Sequence, residues 1–223
     1  MRYAKPHTSL QKQIELLTNR AMVIADSASA LNDLSHIGYY RLRGYWIPFE
    51  TTDATGSDHR FLAGTTFEQV LNLYTFDRAL RLLVNDAIKR IEISVRNQWV
   101  DVLADAHGPH AYLDSSLFSS HRQYGRSLCA HHARLWNREV TVTMQLPRTK
   151  PASLIPSLDP GPDANQAPRR IYNTLVMLAY FMDCINPGHD WRERLFALLE
   201  RHQVDVRQMG FPEDYTERAI WRS

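Results

Sequence analysis

The stretch Leu73-Tyr-Thr-Phe-Asp-Arg-Ala-Leu-Arg-Leu-Leu-Val-Asn-Asp-Ala-Ile-Lys-Arg-Ile91 decides the fold. Leu73, Phe76, Leu80, Leu83, Ala87 and Ile91 recur at three- and four-residue steps, and Val95, Trp99 and Leu103 extend the series. Side chains at that spacing share one face of an α-helix. The pattern predicts a helix over about 66–106, capped by Thr65 or Thr66 and stopped by His107-Gly108-Pro109. Globular helices usually run about 8–20 residues, so a kink or break is expected within this one.

Helical signals continue on both sides. Leu10, Ile14 and Leu17 line one face of an opening helix over about 8–20, with Thr8 and Gln11 placed as a capping box. A second helix is expected over 27–36, with Ala30, Leu31 and Leu34 inward and Gly38 at its end. Ile37-Gly-Tyr-Tyr-Arg-Leu-Arg-Gly-Tyr-Trp-Ile-Pro-Phe49 reads either as a stacking surface for RNA or as buried aromatic packing. The apolar continuation at Ile47-Pro-Phe49 favours packing, with Arg41 and Arg43 reaching water. Residues 51–60 read as a polar loop, and 140–168, with six of the eleven prolines, as an irregular connection. Helices are expected over about 169–185 and from Trp191, the latter capped by Asp190 and Glu193, followed by an apolar tail. The class is all-α: a helical bundle with an N-terminal helical extension, divided at 1–60 and 61–223.

Composition bounds the function loosely. The chain has 223 residues, 44% of them hydrophobic, and a formal net charge of +2. That supports a core and makes no case for nucleic acid by net charge alone. Two cysteines, Cys129 and Cys184, suggest a reduced compartment. The N-terminus carries no apolar leader, and the longest apolar run, Leu175 to Met182, is far short of the roughly 20 residues a span needs. The expected location is the cytoplasm, without membrane attachment.

Charge is concentrated in one place. Between His121 and Arg138 stand Arg122, Arg126, Arg134 and Arg138 with three histidines and no carboxylate. A helix over about 124–139 is expected there. Arg126 and His131 together hold the minimum for metal-free phosphodiester cleavage. A guanidinium grips the phosphate, and an imidazole that titrates near neutral pH moves protons. On an ideal helix, positions i and i+5 point about 140° apart, so the two meet through arginine's reach, a distortion, or a second copy of the helix. By spacing alone the alternative is an exposed polar face on an amphipathic helix. A metal site from His131 with His132, or from His107 with His110, lacks a recognisable ligand set, so no metal is expected. Cys129 with His132, a nucleophile pair at i, i+3, lacks a surrounding signature.

Taken together, several segments resemble one family. Lys5-Pro6 and the helix after it, Ile37-Gly-Tyr-Tyr-Arg-Leu-Arg-Gly-Tyr-Trp46, Phe61-Leu-Ala-Gly-Thr-Thr-Phe67, Leu73-Tyr-Thr-Phe-Asp-Arg-Ala-Leu-Arg81, Ile91-Glu-Ile-Ser-Val-Arg96, Cys129-Ala-His-His-Ala-Arg-Leu-Trp-Asn-Arg138 and Met209-Gly-Phe-Pro212 resemble the Abi-like abortive-infection proteins of the AbiD/AbiF type. Through that family the chain is similar to the HEPN ribonucleases, helical dimers whose motif is an arginine, four to six residues, and a histidine. The resemblance implies a HEPN-like bundle and a metal-independent, cofactor-free endoribonuclease of phage defence, working at a dimer cleft. It implies Arg126 and His131 as catalytic residues and Ser127 and His132 as supports. It places Arg122, Arg134, Asn137 and Arg138 on RNA, and brings a cognate RNA or antitoxin as neutralising partner of a homodimer. Three departures accompany it. Ser127 stands where an asparagine is usual. Seven residues separate Phe118 from Arg126 where the family has a further helical segment. Asp101 and Val102 stand where a histidine is often found. These departures open a second reading, an inactive HEPN-like module that binds RNA or protein.

Overall fold

The computed structural model describes residues 7–52, 59–114, 117, 135–136, 146–161 and 169–222. Among them are six α-helices: α1 (Leu10–Asn19), α2 (Ser27–Ile37), α3 (Tyr39–Trp46), α4 (Phe67–His107), α5 (Tyr172–Ile185) and α6 (Trp191–His202). The all-α class holds. One two-stranded ribbon is added, β1 (Glu50–Thr52) antiparallel to β2 (His59–Phe61), where a polar loop was expected. The chain divides into two compact units, Met1–Phe76 and Asp77–Ser223.

In the first unit, helix ends follow local chemistry. The cap of α1 is Ser9, whose hydroxyl accepts from the Lys12 amide at 3.4 Å, rather than Thr8. Thr8 instead offers its carbonyl to the Gln13 side chain at 3.0 Å. Asp26 caps α2 through the amides of Ala28 and Ser29, and Gly38, at φ +88°, ends it. Thr66 and Gln69 form a reciprocal capping box at the start of α4, with bonds of 3.1 and 3.0 Å.

The aromatic run Tyr39–Trp46 packs rather than stacks outward. Leu42, Tyr45 and Trp46 are buried, and the Trp46 ring meets Tyr39 and Phe61 edge-on at 4.9 and 6.0 Å. Arg41 lies over the Tyr74 ring and Arg43 is exposed, as snorkelling predicts. The ribbon exists because Glu50 is almost fully buried and needs partners. The Arg20 guanidinium pairs with its carboxylate, and the same side chain donates to the His59 carbonyl and covers the Phe61 ring. Strand edges are thereby fastened to the end of α1. The ten-residue window 51–60, mostly polar, carries no sign of this.

In the second unit, the proline-rich connection is tied down. The Asn173 side chain clamps both the amide and the carbonyl of Asp159 at 2.8 Å each. The Tyr172 hydroxyl donates to the Ser157 carbonyl at 2.9 Å, while the Ser157 hydroxyl accepts from the Ile220 amide at 3.1 Å. Burial raises the Tyr172 phenol above its ordinary value, against the lowering effects of Trp221 and Arg218. Inward residues of α5 match the expectation: Ile171, Leu175, Leu178, Ala179 and Met182 are all buried. Asp190 occupies the cap position of α6 but makes no side-chain capping bond. Its neighbour His189 does the work, with Nδ1 accepting from the Trp191 amide at 3.0 Å and Nε2 facing Asp183 at 3.1 Å. Trp191 reaches α4, donating from its indole to the Leu83 carbonyl at 3.0 Å.

Helix α4 runs for 41 residues without the expected break. No glycine or proline occurs between Phe67 and His107, so nothing in the backbone forces one. Gly108, at φ +88°, stops it. One expectation fails along its length: Val95 and Trp99 do not face inward but are 50% and 56% exposed.

Gly210 gives a clean test of the second unit. Its φ is +84°, and an added Cβ would lie 2.4 Å from the Cβ of Arg170. Gly210→Ala is expected to cost at least about 2 kcal/mol in urea unfolding, from left-handed strain of about 1–2 kcal/mol plus the collision. Gly108→Ala, equally left-handed but facing open space, is expected to cost only about 1 kcal/mol.

Candidate functional site

The geometry of this site begins at Asp77, on the core-facing side of α4. Its carboxylate is fully buried. Oδ1 accepts from two consecutive backbone amides far along the chain, Leu135 at 2.7 Å and Trp136 at 2.9 Å. Oδ2 faces the Arg81 Nε at 3.5 Å, one turn further along the same helix. Arg81 and both anchored residues are buried as well. A carboxylate taken out of water costs several kcal/mol unless hydrogen bonds and a counter-charge replace the lost solvation. Two amides and a guanidinium do that here. Arg81 Nη1 and Trp136 Nε1 are buried without a hydrogen-bond partner among the described residues, so the cluster is richer in donors than in acceptors.

This clamp lies within the basic stretch read from the sequence. Leu135 and Trp136 sit between Arg134 and Asn137, four and five residues beyond His131. They are also the part of the expected 124–139 helix that is described, and they are not helical; Trp136 lies in a turn. The reason is visible in the bonds: their amides go to a side-chain carboxylate rather than to carbonyls four residues back. Arg122, Arg126, Ser127, His131, His132, Arg134, Asn137 and Arg138 all lie outside the described residues, as does Cys129. Asp77 was missed as a site residue. Its signal was available: a carboxylate on the apolar stripe, three residues from Leu80 and four from Leu73, where a solvated charge has no place.

His107, His110 and Asp114 line one hollow of about 450 Å³ past the end of α4. Among the described residues no group of histidine, cysteine or carboxylate side chains is arranged to hold a metal ion. No described helix is long and apolar enough to cross a membrane.

Residues 32–127 match the model of the Abi-like protein family. The chain carries an Abi-like region. The match takes in α2 from Asn32, α3, the ribbon and all of α4, and so includes Asp77 and Arg81. It also takes in Arg122, Arg126 and Ser127, and ends four residues before His131. The Abi-like match points to abortive infection, the defence of a cell against phage. No curated protein and no solved structure matches the chain.

Removing the Asp77 carboxylate leaves two buried amides and a buried guanidinium without their acceptor. Asp77→Ala is therefore expected to lose about 3–5 kcal/mol in chemical denaturation. Asp77→Asn keeps one acceptor oxygen for the amides while losing the charge that offsets Arg81. It is expected to fall between Asp77→Ala and the unsubstituted protein. An Asp77→Ala protein as stable as the parent removes the clamp from the account.

Proposed function

We propose that this protein is a metal-independent endoribonuclease of an abortive-infection system, working as a homodimer in the cytoplasm. The observation that carries the reading is the Abi-like match, which spans α4 and reaches Arg126 and Ser127. Supporting it, Asp77 holds Leu135 and Trp136, four and five residues beyond His131, so part of the basic stretch is pinned to the helix at the centre of the match.

In this reading the Arg126 guanidinium binds the non-bridging oxygens of the scissile phosphate and offsets the charge that builds there. One imidazole nitrogen of His131 takes the proton from the ribose 2′-hydroxyl as its oxygen attacks phosphorus, or gives a proton to the departing 5′-oxygen. The P–O5′ bond breaks as the P–O2′ bond forms. The products are a 2′,3′-cyclic phosphate and a 5′-hydroxyl. Ser127 and His132 support the pair, and Arg122, Arg134, Asn137 and Arg138 hold the RNA strand. A cognate RNA or antitoxin restrains the enzyme until phage infection.

Two observations favour a second reading, an inactive relative that binds RNA or protein. The family match stops short of His131, and only seven residues separate Phe118 from Arg126. One experiment separates the two. Purified protein with excess chelator is incubated with end-labelled RNA, and the termini are identified. The endoribonuclease reading expects cleavage to cyclic-phosphate ends, reduced at least about 100-fold by His131→Ala, a typical general acid–base loss, and likewise by Arg126→Ala. RNA left intact by the unsubstituted protein, yet bound equally well by both, selects the inactive module.

A further inference from the structure

Helix α3 packs through one face only. Leu42, Tyr45 and Trp46 are buried, and at about 100° per residue they lie together on that face. The opposite face carries Tyr40 and Arg43, then Ile47, where the backbone stays helical at φ −48° and ψ −41°. These three fall within about 60° of one another around the axis. Tyr40 is 79% exposed and Ile47 50%, and Arg43 is exposed as well. The run Ile37–Phe49 therefore satisfies both readings that its residues allow, one on each face. Its inner side is core, and its outer side sets an aromatic ring beside a guanidinium in water.

A single exposed tyrosine is ordinary. Its surroundings distinguish this one. The Tyr40 ring meets Tyr39 edge-to-face, at 5.8 Å between centroids and 83° between planes, and most of it is left to solvent. Arg43 has no hydrogen-bond or ion-pair partner among the described residues. From Ser35 to Phe49 the chain holds Arg41 and Arg43 and no carboxylate, and the next one, Glu50, is buried against Arg20. An unopposed arginine attracts an anion, and a ring with an open face attracts a second planar group. One helical turn separates the two, about 5–6 Å between Cβ atoms, which a single nucleotide spans from base to phosphate. An acidic peptide answers the arginine and leaves the ring without a planar partner. A duplex hides its base faces in the stack, so the ligand that fits both features is single-stranded.

We propose that the outer face of α3 is a second RNA contact, in which one unpaired base stacks on Tyr40 and an adjacent phosphate rests on Arg43. This extends the proposed function and rests on its assignment of RNA as the ligand. In sequence the contact lies well apart from the Arg122–Arg138 stretch. Its test reads binding without cleavage, so failure of the contact and failure of the endoribonuclease are separate outcomes.

The probe is a labelled single-stranded 2′-O-methyl RNA oligonucleotide, which keeps bases and phosphates and lacks the 2′-hydroxyl that cleavage needs. Its binding to the full-length protein is followed by fluorescence anisotropy over a series of salt concentrations. Tyr40→Leu keeps apolar area without a π-face and is expected to raise Kd about 5- to 100-fold, the range for losing one stacked base. Tyr40→Trp is expected to bind at least as tightly as the parent. Arg43→Gln is expected to weaken binding and to reduce the slope of log Kd against log salt by about 0.7, the share of one phosphate on a single strand. Both positions are exposed, so circular dichroism and melting are expected to stay unchanged, and Tyr40→Trp keeps the test open should Tyr40→Leu unfold the protein. Duplex RNA of the same length is expected to be indifferent to Tyr40→Leu. A parent that does not bind the probe, or one whose affinity and salt slope survive Tyr40→Leu and Arg43→Gln, overturns the proposal. An equal loss on duplex RNA overturns the stacking. A co-purifying protein released by Tyr40→Leu while RNA affinity stays unchanged assigns the face to that protein and overturns the proposal as well. Unmodified RNA cut by a parent whose probe binding ignores Tyr40 overturns this contact alone, and RNA bound through Tyr40 yet left intact overturns the endoribonuclease alone.

Discussion

A buried carboxylate sets the terms for the second unit. Asp77 lies among apolar neighbours on α4, where its charge is stable only with replacements for the water it has lost. Arg81 supplies one from the next turn of the helix. The other two are the amides of Leu135 and Trp136, 58 and 59 residues further along. The requirement works in both directions. Asp77 needs those amides, and those amides, in a buried turn, need an acceptor. Leu135 and Trp136 are thereby fastened to α4 with a register that hydrophobic contact alone would leave loose. That fastening lies within the basic stretch that contains His131.

Helix α4 has two characters along one uninterrupted backbone. Up to Ala87 its stripe is buried, and Trp191 bonds to the Leu83 carbonyl from outside the helix. Beyond Val95 the same stripe is exposed. The backbone does not register the change, because helix continuity depends on hydrogen bonds within the segment and on the absence of glycine and proline. Ion pairs one turn apart, Arg90 with Asp86 and Arg96 with Glu92, support the exposed half locally. A helix can therefore carry its apolar spacing beyond the part that its core covers.

Much of the fold was legible in the residues. The period of α4, the ends of α2 and α4 at Gly38 and Gly108, and the inward positions of α5 follow from spacing and from backbone conformations that glycine adopts without strain. The packing of Tyr45 and Trp46 was legible too, because the apolar run continues past them. The Abi-like match agrees with segments recognisable by eye, among them the Leu73–Arg81 stretch that holds Asp77. What was not legible shares one property. The ribbon rests on Arg20 reaching Glu50 across 30 residues, and the start of α6 rests on a histidine nitrogen outside the helix rather than on the expected Asp190. The turn at Leu135 and Trp136 rests on Asp77. Each is a polar bond between positions that no periodicity connects.

The sequence by itself determined where helices form and which side of each is apolar, since both depend on neighbours within a turn or two. It also marked the concentration of arginine and histidine between His121 and Arg138, and the family to which residues 32–127 are similar. Tertiary structure alone decided which part of the apolar stripe is covered. It also decided that a carboxylate inside that stripe would be the anchor. Burial is a property of what arrives from elsewhere in the chain. The same three- and four-residue spacing describes Leu80 at full burial and Trp99 in water, and only the packed structure distinguishes them.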